Sequence, residues 1–255
     1  MSEMVELTKQ QRAIVEATEP YIVVVATDAA EKTRCITERV RWLLKQGVPG
    51  EEIVTITFTN AAAEEISERL GNPSGVFIGT IHSLANTYLR IGGVDTSKVL
   101  NDEKFDDLFK LIKKNPDCVQ HVTHLIVDEA QDSNPRQFEF LLDMIAPDNF
   151  MLMGDHRQSI YRFNGATPEY ILSLMESPEV TTYELTENYR NAPEILRYAK
   201  NGIRTLGKDY EDHSVPMSRN SGKVVDVPYS GEGIVTTIER YVNRGDCNYR
   251  DWFIL

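Results

Sequence analysis

Asp128 and Glu129 close a short apolar run, Leu125-Ile-Val127, and are followed by Ala130, Gln131 and Asp132. Two adjacent acids at the end of such a run can divide phosphate chemistry between them. Asp128 would hold a Mg²⁺ ion, and Glu129 would activate a water that attacks a phosphate. A short apolar run bounded by polar residues reads as a buried strand of a parallel sheet, and ligands bind beyond the carboxyl ends of such strands. In isolation the pair would pass for two solvated acids opening a loop. Other stretches of the chain decide between these readings.

One of them is Lys32-Thr33. It follows a β-branched run, Tyr21 to Ala26, and precedes a helical pattern with Ile36, Val40, Leu43 and Leu44 on one face. Strand, short loop ending in Lys-Thr, then helix is the layout of a phosphate-binding loop. The loop departs from that pattern at Ala29 and Glu31, where glycines are expected. A cradle of this kind takes left-handed backbone angles, which cost a non-glycine residue about 1–3 kcal/mol. Glu31 also adds a negative charge beside a polyphosphate site.

Further candidates end other strand-like runs. Ile53 to Phe58 leads into Thr59-Asn60, which can cap the helix that starts at Ala61 and present backbone donors to an anion. Val76 to Ile78 leads into Gly79-Thr-Ile-His82-Ser83. Phe150 to Met153 leads into Gly154-Asp155 and then Gln158, Tyr161 and Phe163, a mixture of hydrogen-bonding groups and faces on which bases can stack. Tyr183 to Leu185 leads into Thr186-Glu-Asn-Tyr-Arg190 and a helix from Pro193 to about Leu206.

The elements that must position these residues alternate between strand and helix, which predicts an α/β fold with a mainly parallel sheet. An opening helix is expected after Thr8, an N-cap, and another over Arg136 to Ile145. The polar segment from Gly92 to His121, helical around Phe105 to Ile112, reads as a small insertion. Strands are expected at Val224 to Val227 and Trp252 to Leu255, flanking a helix near Val235 to Val242. With 255 residues, 41% apolar and 26% charged, the chain can bury a full core. No run of eighteen apolar residues suggests a membrane span, and Met1 to Gln11 lacks the apolar centre of a signal peptide. Three widely spaced cysteines point to a reducing, cytoplasmic setting and show no metal-ligand spacing. A net charge of −12 argues against a generally basic surface, although a local track of phosphate donors needs only a few residues.

In this order the motifs resemble the UvrD/Rep/PcrA family of superfamily-one DNA helicases, over essentially the whole chain. The resemblance implies two RecA-like domains of the P-loop NTPase type: residues 1–182, then an incomplete second domain over 183–255. It implies ATP and Mg²⁺ as cofactors, and ATP hydrolysis that drives movement along single-stranded DNA or at a DNA junction. Gln11, in Leu7-Thr-Lys-Gln-Gln11, would read adenine. Lys32 would hold the β- and γ-phosphates, Thr33 and Asp128 the Mg²⁺, and Glu129 would activate water. Gln131 would sense nucleotide state, while Gln158 and Arg190 would stabilise the transferring phosphoryl group. Thr59, Asn60 and His82 would touch single-stranded DNA, with Tyr161 and Phe163 stacking its bases. Against the family pattern, Ala61 replaces a lysine and Asn164 an arginine, and the 92–121 connector is too short for the family's accessory domain. A second reading follows from these departures: a catalytically inactive relative, or a fragment, that binds DNA or a protein partner such as the missing helicase half.

Overall fold

In the computed structural model, residues 6–27, 31–159, 165–204, 212–219, 222, 224 and 231–244 are described. Six strands form one sheet in the order β3-β2-β4-β5-β1-β6, every neighbouring pair parallel. They are β1 (Tyr21–Ala26), β2 (Ile53–Thr57), β3 (Phe77–Thr80), β4 (His124–Val127), β5 (Asn149–Gly154) and β6 (Thr181–Leu185). Parallel strands need crossovers, and the helices between them cover both faces of the sheet.

Successive side chains of a strand point to opposite faces, so each strand feeds two cores. Ile22, Val24 and Ala26 of β1 pack with Ile126, Met151 and Met153 under α1 (Lys9–Val15), α2 (Lys32–Lys45) and α3 (Asn60–Leu70). Val23 joins Leu125, Val127 and Leu152 on the other face, under α4 (Ile81–Ile91), α6 (Asp107–Lys114) and the helical stretch after Pro135. A short helix α5 (Ser97–Asn101) precedes α6, so the expected insertion over 92–121 holds two small helices rather than one, the second of them packed on α4.

One feature caps α1 and another ties it to α2. Thr8 caps α1 with a reciprocal box, its hydroxyl accepting from the Gln11 N–H and the Gln11 side chain accepting from the Thr8 N–H. The buried Arg39 of α2 donates at 2.9 and 2.6 Å to the carbonyls of Val15 and Ala17, which end that helix. Burial lowers the Arg39 pKa to about 10, and its guanidinium lies 4.8 Å from the centre of the Trp42 ring. Gln11 is thereby fixed beside the start of α2.

The helix expected over Arg136 to Ile145 begins as α7 (Pro135–Phe138) and widens into a π-helix over Glu139–Met144. Phe138, Phe140 and Leu141 of this stretch are all buried in the core. Helix α8 (Pro168–Met175), not expected from the sequence, packs the Tyr170 ring on Phe138 with centroids 4.2 Å apart. The division expected near residue 182 falls inside β6, all five residues of which lie in the six-stranded sheet. Beyond it, β7 (Glu187–Asn188) pairs in parallel with β8 (Val215–Pro216), accompanied by α9 (Pro193–Ile203) and α10 (Gly231–Asn243). The strands expected at 224–227 and 252–255 lie outside the described residues, apart from residue 224.

Candidate active site at the carboxyl edge of the sheet

Because every strand is parallel, all six carboxyl ends lie along one edge, and the expected site residues are distributed there. Asp128 and Glu129 follow β4, Asp155 follows β5, and Lys32 opens α2 after β1. β4, β5 and β1 are consecutive neighbours, so these groups come together.

Lys32 Nζ donates to Glu129 Oε1 at 2.7 Å, with the lysine side chain only 10% exposed. Gln131, almost fully buried, donates from Nε2 to Glu129 Oε2 at 2.9 Å, and its Oε1 accepts the Asp155 N–H at 3.1 Å. One amide thus joins the end of β4 to the end of β5. Asp128 Oδ1 accepts the Glu129 N–H at 3.0 Å, and Glu129 itself adopts a left-handed backbone, φ 49°. Burial, and then the charge of Glu129, push the Asp128 pKa up to about 6 despite the opposing Lys32. Asp132 is raised to about 6 for the same reasons, and its Oδ1 is buried without a hydrogen-bond partner.

Three carboxylates thus share Lys32, and two of them are reluctant to ionise. Such a donor set fits a divalent cation, which would relieve the repulsion. Asp128, one of the two metal ligands expected from the sequence, is among these acids; the other, Thr33, is the second residue of α2, next to Lys32. Among the described residues, no group of three or more His, Cys, Asp or Glu side chains forms a ready-made cage. A site completed by phosphate and water oxygens is how Mg²⁺ is usually held.

The raised acids make a pH prediction. Asp128 keeps its proton in the folded state up to about pH 6, whereas an ordinary aspartate loses it near 3.8. The folded state therefore binds the extra proton between these values, and stability falls as pH rises through that window. Asp128→Asn is expected to be more stable than the parent above pH 6, by about 2 kcal/mol, and equal to it near pH 4. Urea unfolding in a chelator across that pH range checks this; a variant less stable at every pH contradicts it.

The phosphate loop itself, residues 28–30 with Ala29, lies outside the described residues. Its last residue does not. Glu31 is left-handed, φ 55° and ψ 44°, the conformation expected for a glycine there, and its side chain does not cap α2. The backbone turn survives the substitution. The carboxylate instead accepts from Gln11 Nε2 at 3.3 Å and from the Arg34 guanidinium at 3.1 Å.

Gln158 donates to Asp155 Oδ2 at 2.8 Å. Asp155 also takes the Arg157 guanidinium, Nε to Oδ1 at 2.6 Å, and Arg157 NH1 lies 3.5 Å from Asp212. Arg190 is exposed in the turn after β7, where Asn188 Oδ1 accepts the N–H groups of Arg190 and Asn191. Along the same edge, beyond β4, Thr59 caps α3 by accepting the Ala62 N–H, and Asn60 is exposed beside it. His82, in the first turn of α4, contacts Asp106 at 3.3 Å and packs against the rings of Phe105 and Phe109. These three stand apart from the Lys32–Glu129 centre. Tyr161, Phe163 and Asn164 lie outside the described residues.

Sequence reasoning missed several participants. Asp132 and Arg34 gave no signal beyond their proximity to motif residues. Tyr189, within the Asn188-Tyr-Arg190 stretch but given no role there, is 39% exposed and within electrostatic reach of Glu31 and Arg34, so the turn after β7 lies near the start of α2. Phe58, 47% exposed at the end of β2, is an apolar neighbour of Thr59.

A family model described as an AAA domain matches residues 10–164. ATP-dependent DNA helicase srs2 of Schizosaccharomyces pombe is 26% identical, over 76% of this chain and 34% of its own length. DNA helicase II of Escherichia coli K12 is 26% identical, over 79% of this chain and 41% of its own. The chain therefore spans about two fifths or less of these relatives. The stretch aligned with DNA helicase II is 298 residues long, more than the 255 of this whole chain, so that relative holds residues without a counterpart here. Among solved structures, the Pif1 helicase from Candida albicans aligns with a TM-score of 0.47 at 16% identity, over 79% of this chain and 44% of its own.

Proposed function

Because the chain belongs to the AAA-domain family and is of the UvrD/Rep superfamily-one type, we propose that it is the nucleotide-binding core of an ATP-dependent translocase acting on single-stranded DNA. The observation that carries this reading is the convergence of Lys32, Glu129, Gln131 and Asp128 at the ends of neighbouring strands. Lys32 holds the β- and γ-phosphates, and Thr33 and Asp128 hold Mg²⁺. When bound, the ion neutralises phosphate charge and orients the reacting phosphoryl group. Glu129 releases Lys32 to the phosphates and accepts a proton from the attacking water. Gln131 ties Glu129 to the backbone of Asp155, so a change at the γ-phosphate reaches Gln158 and the segment that carries Tyr161 and Phe163. Arg190 completes the charge around the phosphoryl group from a second domain, which begins after Leu185. Thr59, Asn60 and His82 contact the DNA backbone, and the setting is cytoplasmic. No helix among the described residues is long and apolar enough to cross a membrane.

A second reading, a binding module without turnover, is favoured by one observation: the Glu31 carboxylate lies on Gln11, the residue assigned to adenine. The two readings part on Mg²⁺-ATP binding that depends on Lys32, measured together with binding of an oligo(dT) strand.

A further inference from the structure

Gln11 is 1% exposed, and both ends of its amide are engaged. Its Oε1 accepts the Thr8 N–H at 3.1 Å, which closes the cap of α1, and its Nε2 donates to Glu31 Oε2 at 3.3 Å. An amide reads the edge of adenine by offering a donor and an acceptor together. Here both are directed at the protein. The same Glu31 oxygen holds the Arg34 guanidinium at 3.1 Å, a group suited to phosphate oxygens or to stacking on a base. Glu31 occupies a left-handed backbone position that favours glycine, at the start of α2. The phenol pKa of Tyr189, a ring from the turn after β7, is raised first by desolvation and by its hydrogen bond to Glu187, with the Glu31 charge adding to the rise.

We propose that Glu31 is an internal anion that competes with the nucleotide for Gln11 and Arg34, and so sets both the affinity and the base selectivity of the site. The inference rests on the nucleotide-binding reading above. A nucleotide arriving at α2 must displace the carboxylate from both partners and tolerate its charge beside the phosphates. In the native chain the Gln11 amide contributes little discrimination between adenine and guanine.

Two variants separate charge from backbone strain. Glu31→Gln removes the charge and keeps both side-chain length and the left-handed strain, whereas Glu31→Gly removes all three. Calorimetric titration with Mg²⁺-ATP and Mg²⁺-GTP is expected to show about tenfold tighter ATP binding for both variants than for the native chain. The preference for ATP over GTP is expected to rise from near unity to several-fold. Without nucleotide, Glu31→Gly is expected to melt a few degrees higher than Glu31→Gln. Variants that bind ATP no more tightly than the native chain overturn the proposal, and so does a rise in melting temperature with no gain in affinity. Adding Lys32→Ala to Glu31→Gly tests the reading underneath. If affinity survives that change, the ligand is not held at the phosphate loop and the nucleotide reading itself fails.

Discussion

Asp155→Ala is expected to destabilise the protein by about 3–5 kcal/mol, the largest effect of any single substitution at the site. Its side chain is 4% exposed and that of Arg157 5%. The carboxylate accepts from Arg157 Nε at 2.6 Å, from Arg157 NH2 at 3.1 Å, from the Arg157 backbone N–H at 3.0 Å and from Gln158 Nε2 at 2.8 Å. Removing it takes from a guanidinium held out of water the carboxylate that binds its Nε and Nη2, with Asp212 3.5 Å away. The cost comes from stripping a buried charge of its bidentate partner rather than from lost Coulomb attraction alone. Asp155→Ala/Arg157→Met is therefore expected to recover much of the loss in denaturant unfolding, although it removes more hydrogen bonds. If the double variant is as unstable as the sum of the two single ones, the network is not the origin of the effect. Gln158 loses its anchor in the same variant, which links this stability defect to the group assigned to the phosphoryl transfer.

Gly154→Ala is expected to cost about 3 kcal/mol and to lower the melting temperature by about 10 °C. A Cβ there would lie 2.1 Å from Gln131 Oε1 and 3.2 Å from the Ala130 nitrogen. Gln131 has little room to move. It is 3% exposed and bonded to Glu129 on one side and to the Asp155 N–H on the other. Alanine must break one of these bonds or push β5 away from β4. Gly154→Ala/Gln131→Ala is expected to be less than additive, because truncating Gln131 removes the clash as well as the bonds. Thermal unfolding of the single and double variants measures this; full additivity would contradict the proposed contact.

Much of this was legible in the sequence because it is local. The β-branched runs at Tyr21 and Ile53 fixed buried parallel strands, and Thr8 and Thr59 announced their helices as caps. Lys32, Asp128 and Glu129 stood at strand ends, and a parallel sheet places all such ends on one edge. Glu31 was identified as a non-glycine residue in a position that demands left-handed angles, and it adopts them. What escaped depends on partners distant in sequence. The Gln131 bridge to Asp155, the pairing of Arg157 with Asp212 and the seat of Glu31 on Gln11 join residues on different strands and helices. No periodicity encodes them. The π-helix escaped for another reason: Glu139 to Met144 has ordinary helical composition, and nothing in its residue pattern marks a wider turn. Helix α8 opens with Pro168, a good first-turn residue, but it is short and follows residues of weak pattern.

The central claim is that Lys32, Thr33 and Asp128 hold a Mg²⁺-nucleotide. Calorimetric titration of Mg²⁺-ATP into the native chain and into its Ala29→Gly/Glu31→Gly variant, each with and without Lys32→Ala, tests it most directly, with oligo(dT) present in a parallel series. The glycine-restored variant is expected to bind with micromolar affinity, to lose at least about tenfold when Lys32 becomes alanine, and to respond to the DNA strand. No binding by the glycine-restored variant, or binding indifferent to Lys32, would contradict the claim and leave the chain as a fold that keeps the shape of a nucleotide site without its use.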